Sequence, residues 1–94
     1  MRILNLKKHS SIKYMNILDK LKKEICRINI TIEEIDIPLD EGLMGSGIID
    51  SFGFVEFVTF IENEFNIEFD DEELDEDNFR NILEIEKFII KKKN

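Results

Sequence analysis

Residues 43–65 read LMGSGIIDSFGFVEFVTFIENEF, and the fold turns on how this stretch divides. It passes from a glycine loop, in which Gly42, Gly45 and Gly47 fall within six positions, to the pair Asp50–Ser51 and then to a run rich in Phe and Val. Phe52, Val55, Phe57, Val58, Phe60, Ile61 and Phe65 recur largely at spacings of three and four, which predicts a helix beginning at Asp50 or Ser51. Either residue can cap it. The apolar surface is wider than core packing alone requires, so part of it is expected to face a partner. Ser51 has an ordinary role open to it as a cap or first-turn residue. Its place between a glycine loop and a helix also exposes the hydroxyl to another enzyme. The positive end of the helix dipole would favour a negatively charged group attached there.

Upstream, Tyr14, Ile17, Leu18, Leu21, Ile25 and Ile28 keep the same spacing and predict a first helix over 14–28. INITIEEIDIPLD, residues 28–40, alternates like a strand, but Pro38 interrupts it and no second strand candidate exists to pair with it, so it is read as loop. Downstream, NIEFDDEELDEDNF is an acidic connector with room for one short helical turn. NILEIEKFIIKKK follows as a last helix, with Asn81 as cap, Glu84 in capping-box register, and Ile82, Ile85, Phe88 and Ile89 as its stripe. Lys91, Lys92 and Lys93 suit the negative end of that helix. Residues 1–12 are basic and aperiodic and are expected to be a flexible extension, leaving 13–94 as the domain. The expected fold is all-α: a small antiparallel bundle of three major helices plus one short helix, with a long first loop.

Composition narrows the function. With 94 residues the chain is a single small domain without the bulk for a cleft between two lobes, so it is expected to work through its surface. Its 21 acidic and 13 basic residues give a net charge of −8, which argues against nucleic acid and for partners with basic patches. The single cysteine, Cys26, allows no intramolecular disulfide and no thiolate zinc site, in keeping with a cytoplasmic protein. No stretch has the length and apolarity of a signal peptide or membrane span.

Catalytic machinery is hard to find. His9, the one histidine, lies in the extension, and Cys26 falls in a helix expected to bury it, so neither a serine nor a cysteine nucleophile has a positioned base. The carboxylate runs lack a pocket that would separate two pKa values for acid/base work. A calcium loop started at Asp75 places Asp77 third but Phe79 fifth and Arg80 sixth, where a ligand and a glycine are required. GLMGSG lacks the lysine of a phosphate-binding loop. No catalytic residue and no metal site is therefore assigned.

Residues 43–65 resemble the acyl carrier protein family, which includes peptidyl and D-alanyl carriers. Leu43, Met44, Gly47, Asp50, Ser51, Val55, Glu56, Glu62, Glu64 and Phe65 carry the likeness, which extends over about residues 15–92. Phe52 stands where the family usually has leucine. Gly53 stands where many fatty-acid carriers have a charge, which shifts weight toward carriers of other pathways. The resemblance implies that a phosphopantetheinyl transferase attaches 4′-phosphopantetheine to Ser51, and that Asp50 helps position the transferase and its metal-bound substrate. It implies a non-catalytic, monomeric carrier of acyl groups as thioesters, loaded by an acyl- or aminoacyl-loading ligase and unloaded by downstream acyl-using enzymes. Phe52, Val55, Glu56, Thr59 and Glu62 would form the docking surface for these partners. The alternatives are an aminoacyl, peptidyl or D-alanyl carrier charged by an adenylating ligase, and an acidic helical adaptor that is never modified.

Overall fold

The computed structural model describes residues 16–75 and 77–93. Helix α1 spans Ile17–Ile28, α2 spans Ser51–Phe65 and α3 spans Ile82–Lys93, with short 3-10 turns at Glu34–Asp36 and Asp71–Glu73. Among the described residues there is no strand, so the stretch around Pro38 is not a strand, as expected, and it adds a 3-10 turn at Glu34–Asp36 that the sequence reading did not include. Helix α1 starts later than the spacing of Tyr14 suggested, because Asn16 adopts an extended backbone and its side chain accepts the Asp19 N–H at 2.8 Å. Tyr14 and the 1–12 extension lie outside the described residues.

Helix α1 packs against both α2 and α3. Leu21 and Ile25 from α1, Phe57 and Ile61 from α2, and Ile82, Ile85 and Ile89 from α3 are buried essentially completely. Each such side chain contributes roughly 1.5–3 kcal/mol on burial, so these stripes account for the association of the helices. Phe69, Phe79 and Phe88 extend the core beneath the acidic connector. The Phe69 and Phe79 rings meet edge to face at 5.1 Å, and those of Phe69 and Phe88 stack at 5.4 Å.

The long first connection is a packed part of the molecule. Ile37, Leu43 and Ile49 bury their side chains in the core. Its backbone is tied to the start of α3 by Leu43 N–H to Arg80 C=O at 3.0 Å and Asn81 Nδ2 to Asp40 C=O at 3.1 Å. Asn29 Nδ2 donates to Ile48 C=O at 2.8 Å, joining the end of α1 to the approach to α2. The turn into α2 needs Gly47, whose φ of +82° lies where side chains are strained.

Asn81 caps α3 as its sequence suggested, accepting the Glu84 N–H at 2.9 Å. The Glu84 carboxylate does not close the box; it meets Lys87 Nζ at 3.3 Å. A return bond of that type forms instead in the connector, where Asp70 N–H donates to Glu73 Oε1 at 2.8 Å. Two of the terminal lysines have specific partners beyond the helix dipole. Lys92 Nζ meets Glu73 at 2.8 Å, and Lys93 Nζ donates to the Phe65 carbonyl at the end of α2 at 2.9 Å.

Candidate functional site

Asp50 is the cap of α2, and Ser51 is the first helical residue. The Asp50 carboxylate accepts the Gly53 N–H at 2.8 Å, and its carbonyl accepts the Phe54 N–H at 2.8 Å. The second of these is the first intrahelical bond; the first satisfies one of the four amides that a helix start leaves unpaired, and those of Ser51 and Phe52 remain for solvent or a bound anion. Because Asp50 makes the capping bond, the hydroxyl of Ser51 is not needed for it. Ser51 is exposed. Ser46, in the preceding loop, instead turns its hydroxyl back onto the Leu43 carbonyl at 3.3 Å.

The buried side of this first turn explains Gly53. A Cβ there would stand 3.0 Å from Ile28 Cγ2 and 3.3 Å from both Asp50 Oδ1 and Ile49 Cβ. The missing side chain lets the start of α2 sit against the end of α1. Gly53 therefore has a packing reason that is independent of any pathway.

On the outer face, Phe52 is 83% exposed and Val55 63%, forming an apolar patch directly after Ser51. Glu56 and Thr59 share this face; the Thr59 hydroxyl donates back to the Val55 carbonyl at 2.9 Å. Glu62 does not join them in the same way. Its carboxylate accepts the Phe69 N–H at 2.9 Å and holds the connector. At ~100° per residue, the line from Phe52 through Glu56 and Thr59 continues to Asn63 and leaves Glu62 at its edge.

A shallow groove runs between α1 and α2, with Arg27, Val55, Glu56, Thr59 and Asn63 among its walls. Arg27 was not singled out from the sequence. Its guanidinium hydrogen-bonds Glu24 at 2.6–3.0 Å and reaches Glu56 at 3.1 Å, and these carboxylates, Glu24 first, push its pKa further up. Only the i, i+3 spacing of Glu24 and Arg27 hinted at this, since their link to Glu56 joins distant parts of the chain.

Beside the glycine loop, a half-open pocket of about 560 Å³ is lined by Met44, Phe54, Leu74 and Phe79, with Asp75, Asp77 and Arg80 also contributing. Phe54 lies within one helical turn of Ser51, so the pocket is close to the exposed hydroxyl. Cys26 is half-buried in α1, less enclosed than its place in the helix suggested. Desolvation, aided by Glu34, pushes its thiol pKa up, away from a reactive thiolate. The arrangement presents one exposed hydroxyl at a helix start beside an apolar patch, without a base positioned to activate it from within the described residues.

A family model described as a phosphopantetheine attachment site matches residues 19–89, from within α1 to near the end of α3. No curated protein and no solved structure matches the chain.

Proposed function

We propose, from the premise that this chain belongs to the acyl carrier protein family of phosphopantetheine-binding carriers, that Ser51 is the attachment point and that the chain is a discrete carrier of acyl groups. Members of this family bind 4′-phosphopantetheine covalently on a serine and are carriers rather than catalysts. The arm supplies a terminal thiol that holds cargo as a thioester.

The observation supporting Ser51 is the division of labour at the start of α2. Asp50 caps the helix, so the neighbouring hydroxyl stays exposed and uncommitted. In the transfer, Ser51 Oγ displaces adenosine 3′,5′-bisphosphate from coenzyme A, forming the phosphodiester as the pyrophosphate bond breaks. The hydroxyl proton passes to a base on the transferase. The amides of Ser51 and Phe52 and the dipole of α2 favour the resulting negative charge. Asp50 fixes the direction of the turn that presents the serine.

Phe52, Val55, Glu56 and Thr59 form the docking face for the transferase, the loading ligase and the acyl-using enzymes. Glu62 belongs to it only at the margin. The pocket beside Phe54 offers apolar walls within reach of an arm on Ser51. An aminoacyl, peptidyl or D-alanyl cargo is the alternative, distinguished by charging the modified chain with acyl and adenylating ligases in parallel. The direct test is intact mass after incubation with coenzyme A and a broad-specificity transferase. The unaltered chain gains one phosphopantetheine, and Ser51→Ala gains none. An unmodified wild-type chain would leave the adaptor alternative standing.

A further inference from the structure

Each carboxylate on α2 already has a partner within the chain. Glu56 pairs with Arg27 at 3.1 Å, Glu64 pairs with Lys20 at 3.0 Å, and Glu62 accepts the Phe69 N–H at 2.9 Å. Asp50, immediately before the helix, holds the Gly53 N–H. The docking helix is acidic in composition, and two of its three carboxylates, Glu56 and Glu64, have a cation beside them.

Arg27 lines the groove beside the docking face, and it is anchored there. Its Nε and a terminal nitrogen hold Glu24, whose side chain is only 8% exposed. Swinging Arg27 away would leave a buried carboxylate without its partner, which is costly. The guanidinium therefore stays at the seam of α1 and α2, on the same groove as Val55 and Thr59.

We infer that Arg27 is a built-in damper of the charge on the docking face. It offsets part of the field of Glu56 while also holding Glu24, so that a partner enzyme meets the apolar Phe52–Val55 surface beside a weakened anionic edge. This rests on the proposal that Ser51 is modified by enzymes docking on α2. The partner that fits offers an apolar recess for Phe52 and needs no basic patch opposite Glu56. An enzyme that does rely on such a patch binds this chain less well than it would bind the chain without Arg27.

The test is transfer from coenzyme A by a broad-specificity transferase with a basic carrier-binding surface, with kcat and KM measured across a salt series. For the unaltered chain, KM depends weakly on salt, and Phe52→Ala raises KM about fivefold or more. Arg27→Gln lowers KM about two- to fivefold at low salt with kcat unchanged, and makes the salt dependence steeper. Adding Glu56→Gln to Arg27→Gln returns KM to its original value. Because Arg27→Gln strips the partner from Glu24, the variant carrying both Glu24→Gln and Arg27→Gln is measured alongside, with melting to verify its fold. If both Arg27 variants keep the original KM and salt slope, the inference is overturned while the role of Ser51 stands. If the unaltered chain is never modified, the role of Ser51 falls, and this inference with it.

Discussion

Asp50 and Ser51 have the same capping chemistry, and periodicity does not choose between them because both precede the first apolar helical position. The choice is made in three dimensions. Asp50 takes the extended backbone and the Gly53 N–H, and Ser51 takes the first helical position with its hydroxyl exposed. The two substitutions should therefore separate. Asp50→Ala is expected to cost about 1 kcal/mol, the usual effect of losing a cap, and to lower the urea midpoint. Ser51→Ala is expected to stay within about 0.5 kcal/mol of the unaltered chain. Equal losses would mean that Ser51 shares the capping. Gly53 could not be understood from sequence, since its reason is the close approach of Ile28 from another helix. Glu62 was readable as a helix-surface carboxylate but not as the acceptor for Phe69.

The three helices were legible because the stripes of α1, α2 and α3 follow a spacing that only a helix turns into one face. Their ends were less so. Asn16 set the start of α1 where apolar spacing alone pointed to Tyr14. The two connections were the least legible elements, because their structure comes from contacts made across the chain. Ile37, Leu43 and Ile49 pack as core residues from a loop, and Phe69 and Phe79 anchor an acidic segment by their rings. At the connector, Glu73 accepts from Lys92 Nζ and Asp70 N–H, which hold its carboxyl below its usual range. A carboxyl depressed on folding contributes stability above its unfolded value, near ~4.3, and loses that contribution as pH falls through the lower folded value. Acid should therefore loosen the attachment of α3 to the connector. Glu73→Gln is expected to melt lower than the unaltered chain at neutral pH, with the difference shrinking in acid. A difference that stayed constant down to the lowest pH would assign the effect to packing.

At the scale of the molecule, part of the acidic charge behind the net −8 is paired within the fold. Lys20 and Arg27 answer charges on α2, and Lys92 answers Glu73. Composition suggested an acidic docking helix, and in the folded chain Glu56 and Glu64 of that helix each stand beside a cation from α1. Residues 1–12 show no periodic apolar face in the sequence, so a chain beginning at Lys13 is expected to keep most of its thermal stability and its modification by the transferase. A large loss of either would show that residues 1–12 take part in the fold.

The central claim is that Ser51 carries the arm, and fragment-ion mass spectrometry of the modified chain tests it most directly. After reaction with coenzyme A and a transferase, the peptide spanning the start of α2 should carry phosphopantetheine, with the fragment ions assigning it to Ser51 alone. Phosphopantetheine on Ser46, Ser10 or Ser11, or its absence from all four serines, would contradict the claim.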